Sequence, residues 1–326
     1  MSRGVIQLSL VVPCYNEEGN VFPFYNAVRE CLEPIDIDYE IIFVDDGSKD
    51  DTLSKLRQVS RMAHCDGGGR VRVLSFSRNF GKESAILAGL KASSGEIIGF
   101  IDADMQQDPQ VALELYKYLR DHAECDIAAA RQVSRKEGLV TRAFKGAFYR
   151  LFSAMSNDVD IPADVSDFRL FRRCVADALL SMPEYYRFSK GLFAWVGFNL
   201  HCIPYEPRLR NSGKSTWGFR GLVRYALDGM MSFSTRPLRL ATWLGLLSSA
   251  LALLYLTYVV FVDYLVFGVA IPGYPTLVCL MLLFGGVQLL IMGILGEYLA
   301  RSYIEGKRRP HYFIRRVYDS RELLDD

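Results

Sequence analysis

The chain has 326 residues, with 38 Lys and Arg against 37 Asp and Glu and a net charge of +1. That length allows one sizeable catalytic domain plus a smaller module, and the near-neutral balance excludes nucleic acid as the main partner, since no dominant basic field exists. Seven cysteines (Cys14, Cys31, Cys65, Cys125, Cys174, Cys202, Cys279) are scattered and never spaced CxxC, which excludes a disulfide framework or zinc site and fits reduced thiols on the cytosolic side.

No signal peptide is expected, because the first apolar run, Leu8–Val12, is far too short for one and reads as a strand. From there to Arg131, strand-like runs alternate with amphipathic stretches. Strands are predicted at Leu8–Val12, Tyr39–Val44, Val71–Phe76, Ile97–Ile101 and Asp126–Ala130, with helices at Gly19–Leu32, Asp51–Ala63, Lys82–Lys91 and Pro109–His122. This alternation is the signature of βαβ units in a doubly wound, mostly parallel α/β sheet. Asp50 or Asp51 is placed to cap the second helix, and Pro109 suits a first helical turn. Between Gln132 and Ser215 the pattern is mixed, and only a late strand near Leu200–Pro204 stands out.

Plotted at helical spacing, Gly218–Phe233 puts Phe219, Leu222, Val223, Ala226, Leu227, Met230 and Phe233 on one face and Arg220, Arg224 and Asp228 on the other. Such a helix fits the headgroup plane of a bilayer, though an ordinary helix packed on the soluble domain has the same pattern. Leu240 to Val262 is 23 residues without a charge, enough to cross the ~20-residue hydrocarbon core. A second uncharged stretch from Tyr264 to Gly296 is broken by Pro272-Gly273-Tyr274-Pro275, so the second span is predicted at Thr276–Tyr298. Arg220, Arg224, Arg236 and Arg239 precede the pair, a basic tail follows, and the connecting loop has no Lys or Arg. The positive-inside rule then puts both termini in the cytosol, as a multi-pass protein of the inner cell membrane. The predicted division is a catalytic domain at 1–215, a juxtamembrane helix at 216–237, a two-helix hairpin at 238–300 and a basic tail at 301–326.

Two acidic turns end predicted strands. Asp102-Ala103-Asp104 can point two carboxylates at one hard divalent cation, Mg²⁺ or Mn²⁺, with Gln106 adding a third oxygen. Turn-forming or capping aspartates are the plainer explanation, but a cap needs only one. Asp45-Asp46-Gly47-Ser48 fits either a turn whose Gly47 supplies positive φ or a grip for a base or ribose. Both turns sit where open α/β sheets bind ligands, at the carboxyl ends of strands. Pro13-Cys14-Tyr15-Asn16-Glu17-Glu18 forms a third loop on that edge. A diphosphate and a lipid phosphate both need cations, and Arg131, Arg135, Arg169, Lys190, Arg208 and Arg210 are the candidates. Gly213-Lys214-Ser215 is not a P-loop, because Arg208 stands where the earlier glycine belongs, and no GxGxxG follows the first strand.

The ordered set SLVVPCYNEEG, EIIFVDDGSKDDT, SRNFGKESAILAGL, GFIDADMQQDP, SDFRLF and RNSGKS, followed by two spans, resembles the family 2 glycosyltransferases. The nearest branch is similar to bacterial polyprenyl-phosphate hexosyltransferases and dolichol-phosphate mannose synthase. The resemblance covers nearly the whole chain. It implies a Rossmann-like GT-A fold and inverting transfer of one hexose from a nucleoside-diphosphate sugar to polyprenyl phosphate. Carried over by motif, Pro13, Tyr15, Glu17, Val44 and Asp46 would contact the nucleoside, and Asp102, Ala103, Asp104 and Gln106 the metal and diphosphate. Arg131 would meet the acceptor phosphate, and Arg210 the diphosphate. Lys214 is a departure, since similar proteins carry lysine directly after the serine, where this chain has Thr216. No QxxRW is present, so a single transfer is implied. UDP-glucose is the implied donor, with GDP-mannose or a UDP-aminosugar as alternatives, and homo-oligomerisation stays open. A phosphate acceptor with second pKa near ~6 is already largely dianionic at neutral pH, so no dedicated base is needed. Outside that class, a nucleotidyltransferase would need a Gly-rich loop after the first strand, and a non-enzymatic membrane scaffold would leave the acidic turns without a role.

Overall fold

Three apolar strands, β1 (Leu8–Cys14), β2 (Tyr39–Asp45) and β3 (Arg70–Phe76), run parallel through the middle of the sheet, with β4 (Ile97–Phe100) parallel on the other side of β1. The computed structural model describes residues 6–35, 37–66, 69–132, 165–205, 236–258 and 273–321. These strands read as near-continuous apolar runs because helices cover both faces. Residues Leu8, Leu10 and Val12 of β1 pack with α1 (Val21–Leu32), α2 (Thr52–Asp66) and α4 (Pro109–Asp121). Val11, one position out of phase, faces α3 (Lys82–Ala92), α5 (Arg173–Ser181) and α6 (Ser189–Trp195).

Local chemistry sets the helix starts. The Asp108 carboxylate accepts the Gln110 amide at 3.1 Å, and Pro109 occupies the first turn, where a missing N–H costs nothing. Asp50 does similar work for α2, accepting both the amide and the hydroxyl of Thr52 at 3.1 and 2.6 Å.

The complete sheet has eight strands in the order β7-β5-β6-β4-β1-β2-β3-β8. Here β5 is Ile127–Gln132, β6 Val165–Arg172, β7 Leu200–Tyr205 and β8 Ile314–Asp319. β6 is antiparallel to both β4 and β5, and β8 is antiparallel to β3, so the sheet is mixed at both flanks. Neither strand is legible in the alternation that marks the others. β6 lies in the mixed-composition stretch, and β8 lies in the segment expected to be only a basic tail.

The two apolar segments form α7 (Arg236–Tyr258) and α8 (Tyr274–Gly306). α7 begins four residues earlier than the expected span. α8 continues past the predicted end at Tyr298, through Arg301 and Glu305 to Gly306. At 1.5 Å per residue its 33 residues measure about 50 Å, longer than the ~30 Å of a bilayer's hydrocarbon core. Their surfaces are apolar and bare: Trp243 and Leu253 are 68% exposed and Leu289 is 71% exposed. The helices touch each other where Gly245 faces Ile291. Both are long and apolar enough to cross a membrane. The predicted amphipathic helix at 218–233 lies outside the described residues.

Candidate active site

Strand register brings the sequence-predicted turns to one edge. Cys14 pairs with Asp45 across β1 and β2, and Val11 pairs with Phe100 across β1 and β4, so the loops after all three strands emerge side by side. Cys14 lies buried among their charges, its thiol pushed well up first by burial and then by Glu17, Asp45 and Asp102. The loop after β1 is laced to the loop after β2. The Asn16 amide donates to the Ser48 hydroxyl at 3.1 Å, the Glu17 amide to the Thr52 hydroxyl at 2.8 Å, and the Lys49 amide to the Asn16 side-chain oxygen at 2.9 Å. Asn16 holds a left-handed φ of 55° in that turn. Tyr15 stands 41% exposed at its tip, and Pro13 is half-buried below it. Val44 and Ala103 are both buried, one in β2 and the other in the turn after β4.

Asp46 is buried and already engaged. Its two oxygens accept the amides of Phe80 and Gly81 at 2.6 and 2.9 Å, which fastens the loop between β3 and α3. Burial raises its pKa, and those two amides pull it back down. Gly47 makes the approach feasible: φ is +66°, and a Cβ there would stand 2.5 Å from the Arg78 carbonyl carbon. Asp46 therefore holds the loop in place; sequence reasoning had given it only a nucleoside contact.

That loop delivers Lys82, the first residue of α3, to the second acidic turn. Its ammonium lies 2.7 and 2.8 Å from the two oxygens of Asp102. The Lys82 side chain is 47% exposed. What burial it has acts against the charge, but Asp102 and Asp167 outweigh it and hold the ammonium above the ordinary lysine value. Beyond Asp102, Met105 takes a left-handed φ of 61° and the Asp104 carboxylate accepts the Gln106 amide at 3.1 Å. The Gln107 side chain is buried and receives the Asp102 amide at 3.0 Å, which fixes the turn from beneath.

Strand β6 adds the other wall. Phe100 pairs with Arg169, and continuing that antiparallel register sets Asp167 opposite Asp102. Burial would raise the Asp167 carboxyl, but Lys190, 3.7 Å away, together with Lys82 and Arg169, brings it below the usual range. Arg169 is buried, its guanidinium 4.4 Å from the Phe193 ring centroid. Arg131 is exposed at the end of β5, opposite Val165 on this same side of the sheet. Arg210 and Lys214, like Arg135 and Arg208, lie outside the described residues.

Sequence reasoning quoted the motifs of Lys82 and Asp167 without giving either residue a role. Both were detectable as misfits. A lysine in the first turn of a helix opposes the macrodipole, and aspartate is depleted in strands. Each sits where local preference disfavours it and is held there by an opposite charge, Lys82 by Asp102 and Asp167 by Lys190.

Among the described residues, no three His, Cys, Asp or Glu side chains gather closely enough to form a metal cage. A magnesium-type ion needs none, since it is typically held by one or two carboxylates plus substrate phosphates and water. The oxygen-only donors Asp102 and Asp104 fit such an ion, and the Lys82 ammonium on Asp102 shows that the position already attracts a cation.

A mostly parallel α/β unit with charged groups gathered at its strand ends, followed by two long apolar helices, is a GT-A-like architecture. The chain belongs to glycosyl transferase family 2, whose model matches residues 9–180, and a model of the GtrB C-terminal hairpin matches residues 236–302. The bactoprenol glucosyl transferase of Shigella phage SfV is 40% identical over 311 residues, covering 95% of this chain and 98% of that protein. The prophage bactoprenol glucosyl transferase homolog of Escherichia coli is 39% identical over 313 residues, covering 96% and 99%. Among solved structures, glucosyl-3-phosphoglycerate synthase from Mycobacterium tuberculosis aligns with TM-score 0.48 and 20% identity over 70% of this chain and 80% of that one.

Proposed function

We propose that this enzyme transfers a single glucose, with inversion, from UDP-glucose to undecaprenyl or another polyprenyl phosphate at the cytosolic face of the cell membrane. The product would serve as a lipid-linked sugar donor for cell-envelope glycosylation. The observation that carries the reading is 39–40% identity to bactoprenol glucosyl transferases over nearly the full length, through both the catalytic unit and the hairpin. Membership of a glycosyltransferase family leaves the nucleotidyltransferase and scaffold alternatives without support. The absence of Lys and Arg between the two apolar helices supports a hairpin whose ends are both cytosolic.

In this reading Asp102 and Asp104, with Gln106, hold Mg²⁺ or Mn²⁺ against the donor diphosphate. When bound, the ion supplies charge that stabilises the leaving nucleoside diphosphate. Pro13, Tyr15, Glu17 and the Val44 backbone surround the nucleoside, on a floor that Asp46 stiffens. Lys82, whose ammonium meets Asp102 and is held above the ordinary lysine value by Asp102 and Asp167, adds a positive charge at that edge. Arg131 takes the acceptor phosphate, while Arg210 and Lys214 complete the diphosphate's surroundings. The acceptor dianion attacks the anomeric carbon and the UDP oxygen leaves, so the bond made and the bond broken balance with no proton to relay. Fixed cations offset the repulsion between two phosphorylated substrates, and holding both in place supplies much of the remaining acceleration.

The test is incubation of membranes carrying the enzyme with radiolabelled sugar nucleotides and polyprenyl phosphate. Labelled lipid from UDP-glucose is expected, abolished by Asp104→Ala with the protein still membrane-inserted. Wild-type activity in that variant with Mn²⁺ added would refute the metal assignment, and label from GDP-mannose or a UDP-aminosugar alone would refute the donor.

A further inference from the structure

The chain leaving the second apolar helix folds back onto the loop that delivers Lys82 to Asp102. α8 ends at Gly306, with the Glu305 carboxylate accepting the Tyr185 amide of the catalytic unit at 2.7 Å. The Arg301 guanidinium, one turn earlier, lies 4.9 Å from the Tyr186 ring centroid. His311 stacks on Tyr185, and its carbonyl lies 3.3 Å from the Ser84 hydroxyl at the start of α3. Tyr312 stacks on Phe76 with centroids 5.0 Å apart and planes within 8°. Phe313 faces Phe80 at 6.2 Å, and its carbonyl accepts the Ser77 amide at 3.0 Å. Strand β8 then pairs with β3 and ends in a clasp of Asp319 with Arg70.

These contacts fall on the outer side of residues 76–84. On the inner side, the Asp46 carboxylate holds Phe80 and Gly81 by their amides. Within the loop, Phe80 packs edge-on against Phe76 at 5.8 Å and under the Arg78 guanidinium at 4.3 Å, while Gly81 sits at φ +96°, where a side chain would meet nothing within 4 Å. We infer that Tyr312 and Phe313 are positioning residues for sugar transfer, bracing this loop from outside so that Lys82 stays on the carboxylate edge. The brace starts six residues after Gly306, so the membrane anchor and the catalytic cation share one short connection. The inference rests on reading Lys82 and Asp102 as part of the transfer site.

Hydrogen exchange on the full chain in detergent separates the brace from the chemistry. Peptides spanning 77–82 are expected to exchange about tenfold faster in a Tyr312→Ala/Phe313→Ala double variant, with β1 unchanged and Tyr312→Phe indistinguishable from wild type. Unchanged protection of the loop would overturn the inference whatever the substrate proves to be. In the transfer assay the double variant is expected to lose about tenfold in kcat with Lys82 present and less than about twofold in a Lys82→Met background, since the two changes act through one group. Equal losses in both backgrounds would mean that the tail supports only the fold, and would also overturn it. Should the double variant not fold, Ser84→Ala is expected to speed exchange of the same peptides about threefold, and no acceleration there counts against the brace. If wild type transfers no sugar to lipid, the functional reading fails while the exchange result still decides the brace.

Discussion

Glu40, at the start of β2, and Asp102, beyond the end of β4, are held in opposite ways. Glu40 is fully buried and receives the Ser9 hydroxyl at 2.7 Å, the Ser94 amide at 2.7 Å and the Ser94 hydroxyl at 2.8 Å. Arg70 stands 3.9 Å from its other oxygen. At the opposite edge of the sheet, Asp102 pairs with a lysine half open to solvent, and Asp167 lies near a second lysine. Neutral donors around a sealed carboxylate make a fixed strut, because nothing there can be exchanged without leaving a buried charge. Cations on long side chains in an open cleft can yield to a metal or a diphosphate. Burial and the kind of partner, more than acidity itself, separate the structural end from the chemical one.

The comparison breaks first, and by the largest effect, if the two ends respond alike to mutation. Asp102→Asn keeps the shape of the turn but removes the charge that attracts cations. Transfer is expected to fall about 10³-fold, some 4 kcal/mol of barrier, with the melting temperature nearly unchanged. A variant retaining more than a tenth of wild-type rate would move the chemistry away from this edge. Glu40→Ala should do the reverse. It strands the donors of Ser9 and Ser94 and leaves Arg70 short of a partner, at a cost of about 3 kcal/mol in stability. The folded fraction should still transfer sugar at the wild-type rate. Thermal unfolding in detergent, paired with activity per folded molecule, reads both quantities.

Much of this contrast was legible in the sequence. The acidic turns followed apolar runs, and placing those runs in a parallel sheet put the turns on one edge, as the β1–β2 and β1–β4 registers have them. Glu40 was invisible, because a glutamate opening an apolar run looks like any solvated strand end until Ser9 and Ser94 close over it. Asp46 was assigned to ligand alone because its partners are backbone amides from another loop, and amides carry no sequence signal. β8 escaped for a similar reason. IRRVYD has charged residues where a central strand would be apolar, and as an edge strand it exposes Ile314 and Val317. The starts of the two apolar helices were readable to within four residues, since length and lack of charge are one-dimensional properties. The overrun of α8 to Gly306 was not, because the Tyr186 ring against Arg301 and the Tyr185 amide on Glu305 come from the folded catalytic unit.

The smallest expected effect sharpens the comparison at a third place, the clasp that ends β8. Asp319 is buried and accepts a two-pronged contact from Arg70, with its second oxygen 2.5 Å from Nη2, and the Arg321 amide donates to it at 3.0 Å. Burial alone would raise its carboxyl, but Arg70, the Arg321 amide and Arg72 hold it below the ordinary aspartate value. A depressed native pKa contributes stability that is complete above the unfolded value of about 3.9 and is lost as pH falls through the native one. Asp319→Asn should therefore cost about 2 kcal/mol at pH 7, and the gap between variant and wild type should close as the pH drops below about 4. Comparing the two proteins at each pH cancels every other carboxylate in the chain. A gap that is as wide at pH 3 as at pH 7 would mean that Asp319 holds β8 by shape alone, and the clasp would then belong with neither the strut nor the catalytic edge.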